Sequence, residues 1–159
     1  MWPEQAVFLL VEDREDDIFL VRKALKGASV ANPLIVVRDG EEAISYLEGE
    51  GKFSNRAEYP LPDLILLDLK LPKMDGFEVL RWIRNHPAFK GIRIVVLTSS
   101  EDIYDVNEAY HLGANSFLVK PLEFENYPAM MRTLASFWLH HSRGPEIDRP
   151  QKKRKKDED

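Results

Sequence analysis

The chain has 159 residues, with 22 Lys+Arg against 27 Asp+Glu for a formal net charge of −5. That length favours one domain with a substantial core, and 44% apolar, 31% charged and 10% aromatic residues is an ordinary globular composition. Cysteine is absent, which excludes disulfides, thiolate metal sites and cysteine nucleophiles and fits a cytoplasmic location.

No apolar run approaches the roughly 20 residues of a membrane span. The N-terminus shows no basic flank leading into an apolar signal segment, and the acidic balance argues against nucleic acid as a partner. Residues 143–159 read RGPEIDRPQKKRKKDED, seven basic and five acidic side chains with almost nothing to bury. The expectation is a domain over 1–142, carrying −7, and a charged, disordered tail over 143–159. The basic run 152–156 is capped by Asp157-Glu158-Asp159 and reads as solvated rather than as a docking segment.

Hydrophobic periodicity predicts strands alternating with helices. Residues 6–11 (AVFLLV) form a continuous apolar run suited to a strand covered on both faces. A helix over 16–27 carries Ile18, Val21 and Leu25 at helical spacing, and Gly27 suits its end. Residues 33–37 predict a second strand and 39–48 a short helix. The stretch 49–62 is polar, lacks an apolar period and predicts a surface loop. A third buried strand over 64–67 ends on Asp68, and a turn-rich connection over 71–76 leads into a helix through about Asn85. Residues 92–97 (IRIVVL) predict a fourth strand, Ser100 a helix cap, Gly113 the end of that helix, and 115–119 a fifth strand stopped by Pro121. The last helix places Tyr127, Met131, Leu134 and Trp138 on one stripe. Pro128 cannot sit deep inside it, so the regular helix starts near Pro128 with Asn126 close to the cap, after a looser turn over 123–126.

Five βα units imply an open parallel sheet with helices on both faces. Right-handed crossovers bring the carboxyl ends of the strands to one edge, where ligands bind in such folds. The residues at that edge form an unusual set. Glu12-Asp13 follow the first strand, Asp68 the third, Thr98-Ser99-Ser100 the fourth and Lys120-Pro121 the fifth. Singly each has an ordinary explanation. Acids after a strand favour the dipole of the next helix, as Glu15, Asp16 and Asp17 are expected to do. A lone Asp suits a turn, Thr98 is a β-former, and Lys120 could be a solvated charge.

Jointly they describe a site. Two carboxylates about 4 Å apart repel by roughly 1–4 kcal/mol at effective dielectrics of about 80 to 20. Three acids therefore require a cation or a raised pKa. Oxygen ligands without imidazole or thiolate suit Mg²⁺ or Mn²⁺. A divalent ion and the Lys120 ammonium would neutralise Glu12, Asp13 and Asp68, leaving a pocket able to receive a phosphoryl group. Asp68, on the central strand, is the natural attacking group, because a carboxylate forms an acyl phosphate without prior deprotonation.

The segments Val11-Glu12-Asp13, LILLDLKLPKMDGFEVL around Asp68, Thr98-Ser99-Ser100 and Lys120-Pro121 together resemble the receiver domain of two-component response regulators, over about residues 6–141. The resemblance implies a flavodoxin-like (βα)5 three-layer sandwich with a parallel five-stranded sheet in order 2-1-3-4-5. It implies that Asp68 accepts a phosphoryl group from a sensor histidine kinase. Mg²⁺ or Mn²⁺ would be held by Asp13, Asp68, the Lys70 backbone carbonyl and Glu12, the last partly through water. Thr98 would bond a phosphoryl oxygen, Lys120 would pair with it, and the Lys120–Pro121 bond would be cis.

Phe117, three residues before Lys120, stands at the family's switch-aromatic position. Having no hydroxyl, it cannot be held inward by a tyrosine-type hydrogen bond. Lys70 and Ser100 would flank the phosphoryl group, and a long cation at 70 would screen it from water. The long loop before the third strand and the Phe137-Trp138-Leu139 ending resemble, within the family, single-domain regulators that partner bacterial phytochromes. Such regulators commonly homodimerise through helix four, strand five and helix five; Trp138 is expected to be core and its neighbours to supply the interface.

With no effector domain expected after His141, the signal would leave by protein contact, as a dimer change or as phosphoryl relay to a downstream protein. Enzymatic activity would be confined to self-phosphorylation and dephosphorylation at Asp68, and no P-loop, GxSxG or HExxH motif is present. The alternatives are an aspartyl-phosphate-using phosphohydrolase and a phosphate-insensitive adaptor. Hydrolases of that kind usually hold an acid two residues after the nucleophile, where this chain has Lys70.

Overall fold

The computed structural model describes residues 6–138. The expected tail over 143–159 and Leu139 of the aromatic ending lie outside the described residues. Five strands, β1 (Phe8–Val11), β2 (Leu34–Val37), β3 (Leu64–Leu67), β4 (Arg93–Thr98) and β5 (Ser116–Val119), alternate with α1 (Glu15–Gly27), α2 (Gly40–Glu48), α3 (Gly76–Asn85), α4 (Ile103–His111) and α5 (Tyr127–Ser136). The sheet order is β2-β1-β3-β4-β5 with every neighbouring pair parallel, the flavodoxin-like arrangement. Among the described residues no helix is long and apolar enough to cross a membrane.

Side-chain alternation along the strands divides the core into two layers. Leu9, Val11, Ile65, Leu67, Ile94 and Val96 face α2, α3 and α4, while Phe8, Leu10, Leu64, Leu66, Val95 and Leu97 face α1 and α5. The three central strands are covered on both faces, which is why their sequences are continuous apolar runs.

The connection after β3 is set by a close approach. Asp75 accepts a hydrogen bond from Glu78 N at 2.9 Å and so caps α3. The next residue, Gly76, donates to Leu69 O at 2.9 Å. A Cβ at Gly76 would stand 2.2 Å from Asp68 O and 2.6 Å from Leu69 Cα, so only glycine fits there. The start of α3 thus braces the backbone on which Asp68 sits.

Several expectations are corrected. The stretch 49–62 is not a plain surface loop. Gly51–Phe53 form a 3-10 turn, and Phe53 is buried edge-on against Tyr46 and Tyr59, with ring centroids 5.1 and 5.2 Å away. Arg56 donates to Tyr46 O at 2.7 Å, to Tyr59 O at 3.1 Å and to Leu47 O, satisfying carbonyls at the end of α2. Three dispersed anchors have no period, so hydrophobic patterning missed them.

The cap of α4 is Asp102, which accepts from Tyr104 N at 2.9 Å. Ser100 instead accepts from Asp102 N at 3.3 Å and donates to Asp105 at 2.6 Å, bracing the cap from outside. Trp138 is half-buried rather than core, with the Arg93 guanidinium 5.8 Å from its ring centroid. The Lys120–Pro121 bond is trans, as are the other peptide bonds of the described residues; trans is the lower-energy form of an X–Pro bond by about 0.5–1 kcal/mol. Elsewhere the expectation holds: Phe124–Asn126 form a 3-10 turn, and α5 follows with Pro128 in its first turn.

Gly76→Ala is expected to destabilise the fold by about 1–3 kcal/mol in urea titration, because the new methyl meets backbone that cannot move aside.

Candidate functional site

The sheet register assembles the site. Val11 pairs with Leu67, so the next residues, Glu12 and Asp68, emerge side by side at the carboxyl edge of β1 and β3. Glu12 N donates to Val37 O at 3.0 Å and Asp68 N to Val11 O at 3.1 Å, fixing both backbones to the ladder. Thr98 pairs with Val119, and Lys120 N donates to Thr98 O at 2.8 Å. Lys120 therefore enters from β5 beside the end of β4.

The Lys120 ammonium donates to Glu12 Oε2 at 2.8 Å, Asp68 Oδ2 at 2.9 Å and Asp17 Oδ2 at 3.0 Å. Its side chain is only 7% exposed, as is that of Asp68. Three carboxylates against one ammonium leave an excess of negative charge in a poorly hydrated site. Burial, then the neighbouring Asp68, push the Glu12 carboxyl up to about 8, against the pull of Lys120. For Asp68 burial also acts upward, but it is outweighed by hydrogen bonds with Glu12 and Lys120 and by the Lys70 N–H, so its carboxyl lies below the usual range. Burial would lower the pKa of Lys120; its bonds with Glu12 and Asp68 more than reverse that and hold it charged. Tyr127, buried in α5, is raised by burial and by the Asp17 carboxylate.

The structure thus brings Glu12, Asp68 and Lys120 into direct contact. Thr98 is fully buried at the end of β4, and Phe117 is half-buried on β5 against the α2–α3–α4 layer. Asp13 is exposed, outside the hydrogen-bonded cluster, and the Lys70 side chain is exposed with its N–H 3.3 Å from Asp68 Oδ1.

Asp17 is the contact that sequence reasoning missed, having assigned it to the α1 dipole. A signal was available: Asp17, Val21 and Ala24 share one helical stripe, and Val21 and Ala24 are buried. An acid at the upper end of a core stripe points toward the sheet edge.

The donor set fits a hard divalent cation. It consists of oxygens alone, it carries excess negative charge, and its most buried acid retains its proton far above the usual carboxylate range. Glu12, Asp13, Asp68 and the Lys70 carbonyl are the groups that could hold one. Among the described residues no three acidic or imidazole side chains stand grouped as ready-made ligands. The Lys120 ammonium already holds Glu12 and Asp68, so a cation taking these two acids would share them with it.

The Glu12 shift has a thermodynamic consequence. A carboxyl whose pKa rises on folding favours the folded state below its unfolded value and loses that contribution as pH climbs through the folded value. In metal-free buffer the thermal midpoint should fall as pH rises from about 5 to about 8. Glu12→Gln should flatten that slope in the same melting series.

Comparison with known proteins places the fold in a family. Residues 8–132 match the response regulator receiver domain family. Response regulator Rcp1 of Synechocystis sp. is 43% identical over 133 residues, covering 84% of this chain and 88% of Rcp1. FilR2 of Methanothrix harundinacea, a probable methanogenesis regulatory protein, is 37% identical over 142 residues, covering 87% of each chain. The crystal structure of the phosphorylated cyanobacterial phytochrome response regulator RcpA superposes with a TM-score of 0.82 at 38% identity, covering 89% of this chain and 99% of RcpA. The Mn²⁺-bound form of Rcp1 gives 0.79 at 41% identity, with the same coverages. With residues 8–132 matching the family and most of its length and fold in common with these regulators, the chain belongs to the response regulator receiver domain family.

Proposed function

We propose that this receiver domain takes a phosphoryl group onto Asp68 from a sensor histidine kinase in a Mg²⁺- or Mn²⁺-dependent reaction and passes the signal on by protein contact. The observation that carries this is the buried Lys120 ammonium, 2.9 Å from the Asp68 carboxylate at the carboxyl edge of the sheet. Asp68 is held ionised, so its oxygen can attack phosphorus directly while the bond to the donor nitrogen breaks and the imidazole departs. Lys120 offsets the charge that accumulates on the phosphoryl oxygens, and Thr98, at the end of the adjacent strand, offers a hydroxyl donor. Glu12, Asp13, Asp68 and the Lys70 carbonyl would hold a divalent cation, which would further neutralise those oxygens.

Phosphorylation adds charge and three acceptor oxygens at position 68. Recruiting Thr98 toward them would free space beside β4 for the Phe117 ring. Phe117 N donates to the Tyr110 hydroxyl at 3.1 Å, so a shift at 117 is felt directly by α4. The α4–β5–α5 face offers exposed Tyr104, Tyr110, Val119 and Phe137, and a groove of about 410 Å³ beside Leu118, Met130 and Leu134. This face is the surface we assign to a second copy of the chain or to a downstream partner, with population shift as the readout. The likeness to Rcp1 and RcpA supports a phytochrome-type kinase as the donor.

Incubation with acetyl phosphate and Mg²⁺ should add one phosphoryl group by intact mass. EDTA or Asp68→Asn should abolish the label. Sustained turnover of a phosphate ester would favour the phosphohydrolase reading, and absence of any label the adaptor. Lys70→Ala should shorten the half-life of the labelled species, because the exposed cation no longer screens the acyl phosphate from water; an unchanged half-life removes that role.

A further inference from the structure

Each of the three N–H donors of the Lys120 ammonium has its own carboxylate: Glu12, Asp68 and Asp17. Two of these partners have other duties under the reading above. Asp68 is the group that becomes phosphorylated, and Glu12 belongs to the oxygen set suited to a divalent cation. Asp17 has neither duty. It lies in the first turn of α1, and its side chain is 17% exposed. The oxygen that meets Lys120 at 3.0 Å also lies 3.6 Å from Nε of the exposed Arg14.

The backbone of Asp17 is fixed by its neighbours. Ile18 and Val21 are buried against the sheet, and Ile18 N donates to Arg14 O at 3.0 Å. The carboxylate is therefore presented by a packed helix and not by a loop. Lysine is a compact charge on a flexible four-carbon stem, which needs external contacts to hold one position. Phosphorylation transfers the Asp68 contact to the phosphoryl oxygens, and a cation competes for Glu12. The Asp17 contact is the one that neither event displaces.

We propose that Asp17 is a positioning residue for phosphoryl transfer, a fixed tether that keeps Lys120 Nζ at the phosphoacceptor while its other two partners exchange. This rests on the assignment of Asp68 as phosphoacceptor. It gives α1 a direct hold on the site through a carboxylate outside the oxygen set suited to the cation.

The test uses the full chain with acetyl phosphate and Mg²⁺, following the labelling rate by intact mass. Asp17→Asn keeps the shape, removes the charge and relieves an acid-rich cluster, so it is expected to fold. Its maximal labelling rate should fall about tenfold, the low end for a hydrogen bond to a charged group, with little change in the acetyl phosphate concentration giving half-maximal rate. Asp17→Glu should recover most of the loss, and Asp16→Asn, an exposed acid of the same turn, should match the wild type. In a Lys120→Met background, Asp17→Asn should add no further slowing, since Asp17 acts only through Lys120. Mn²⁺ affinity by calorimetry should change by less than about twofold in Asp17→Asn.

A wild-type rate in Asp17→Asn, equal slowing with and without Lys120, or a tenfold loss of Mn²⁺ affinity would each overturn the proposal. The last result would make Asp17 a metal ligand. If Lys120→Met does not fold, the contrast between Asp17→Asn and Asp17→Glu decides. A wild type that takes no label removes the phosphoacceptor assignment and this inference together. A wild type that labels on Asp68, with Asp17→Asn equal to it, removes this inference alone.

Discussion

An ammonium buried among three carboxylates is the constraint on which the rest of the molecule depends. Lys120 holds the carboxyl edges of β1, β3 and β5 together at a single nitrogen, with α1 joined through Asp17. Removing the ammonium from such a cluster would leave its carboxylates uncompensated in a poorly hydrated place, which is costly. The cluster as it stands is also short of positive charge, and burial, followed by the neighbouring Asp68, raises the proton affinity of Glu12. A site with unmet demand for cationic charge suits a divalent ion.

The scaffold meets the geometric demands of that cluster with local devices. The parallel register sets Glu12 beside Asp68. Gly76 allows α3 to begin against the Asp68 carbonyl, and Asp75 caps that helix, so the backbone beneath Asp68 is held from two sides. On the far side of β4, Phe117 shares a hydrogen bond with α4 instead of standing alone on the edge strand. The acid–lysine rim and the α4–β5–α5 face are therefore joined through β4 and β5, which end at Thr98 and lead into Lys120.

The fold was legible because three central strands are uninterrupted apolar runs and each ends on a polar residue of the site. The rim was legible for the same reason: strand ends can be read from the sequence, and a parallel sheet gathers them. What escaped was whatever depends on side-chain direction or on dispersed contacts. Asp17 looked like a dipole acid because three acids occupy that turn, and only the helical stripe through Val21 and Ala24 separates it from Glu15 and Asp16. Phe53, Arg56 and Tyr59 lie in a stretch without periodicity, so their convergence on Tyr46 has no one-dimensional signature. Ser100 and Asp102 are both good caps, and hydrogen bonding within the turn decides between them.

The Tyr110 hydroxyl has one further consequence. β5 ends the sheet, and its outward N–H groups offer a template on which a stray extended chain could align. At Phe117 that donor is already occupied from α4, in the middle of a four-residue strand. Only short stretches of open backbone remain on either side, too little to seed a cross-chain ladder. The tyrosine therefore shortens the stretch of β5 on which such a chain could align.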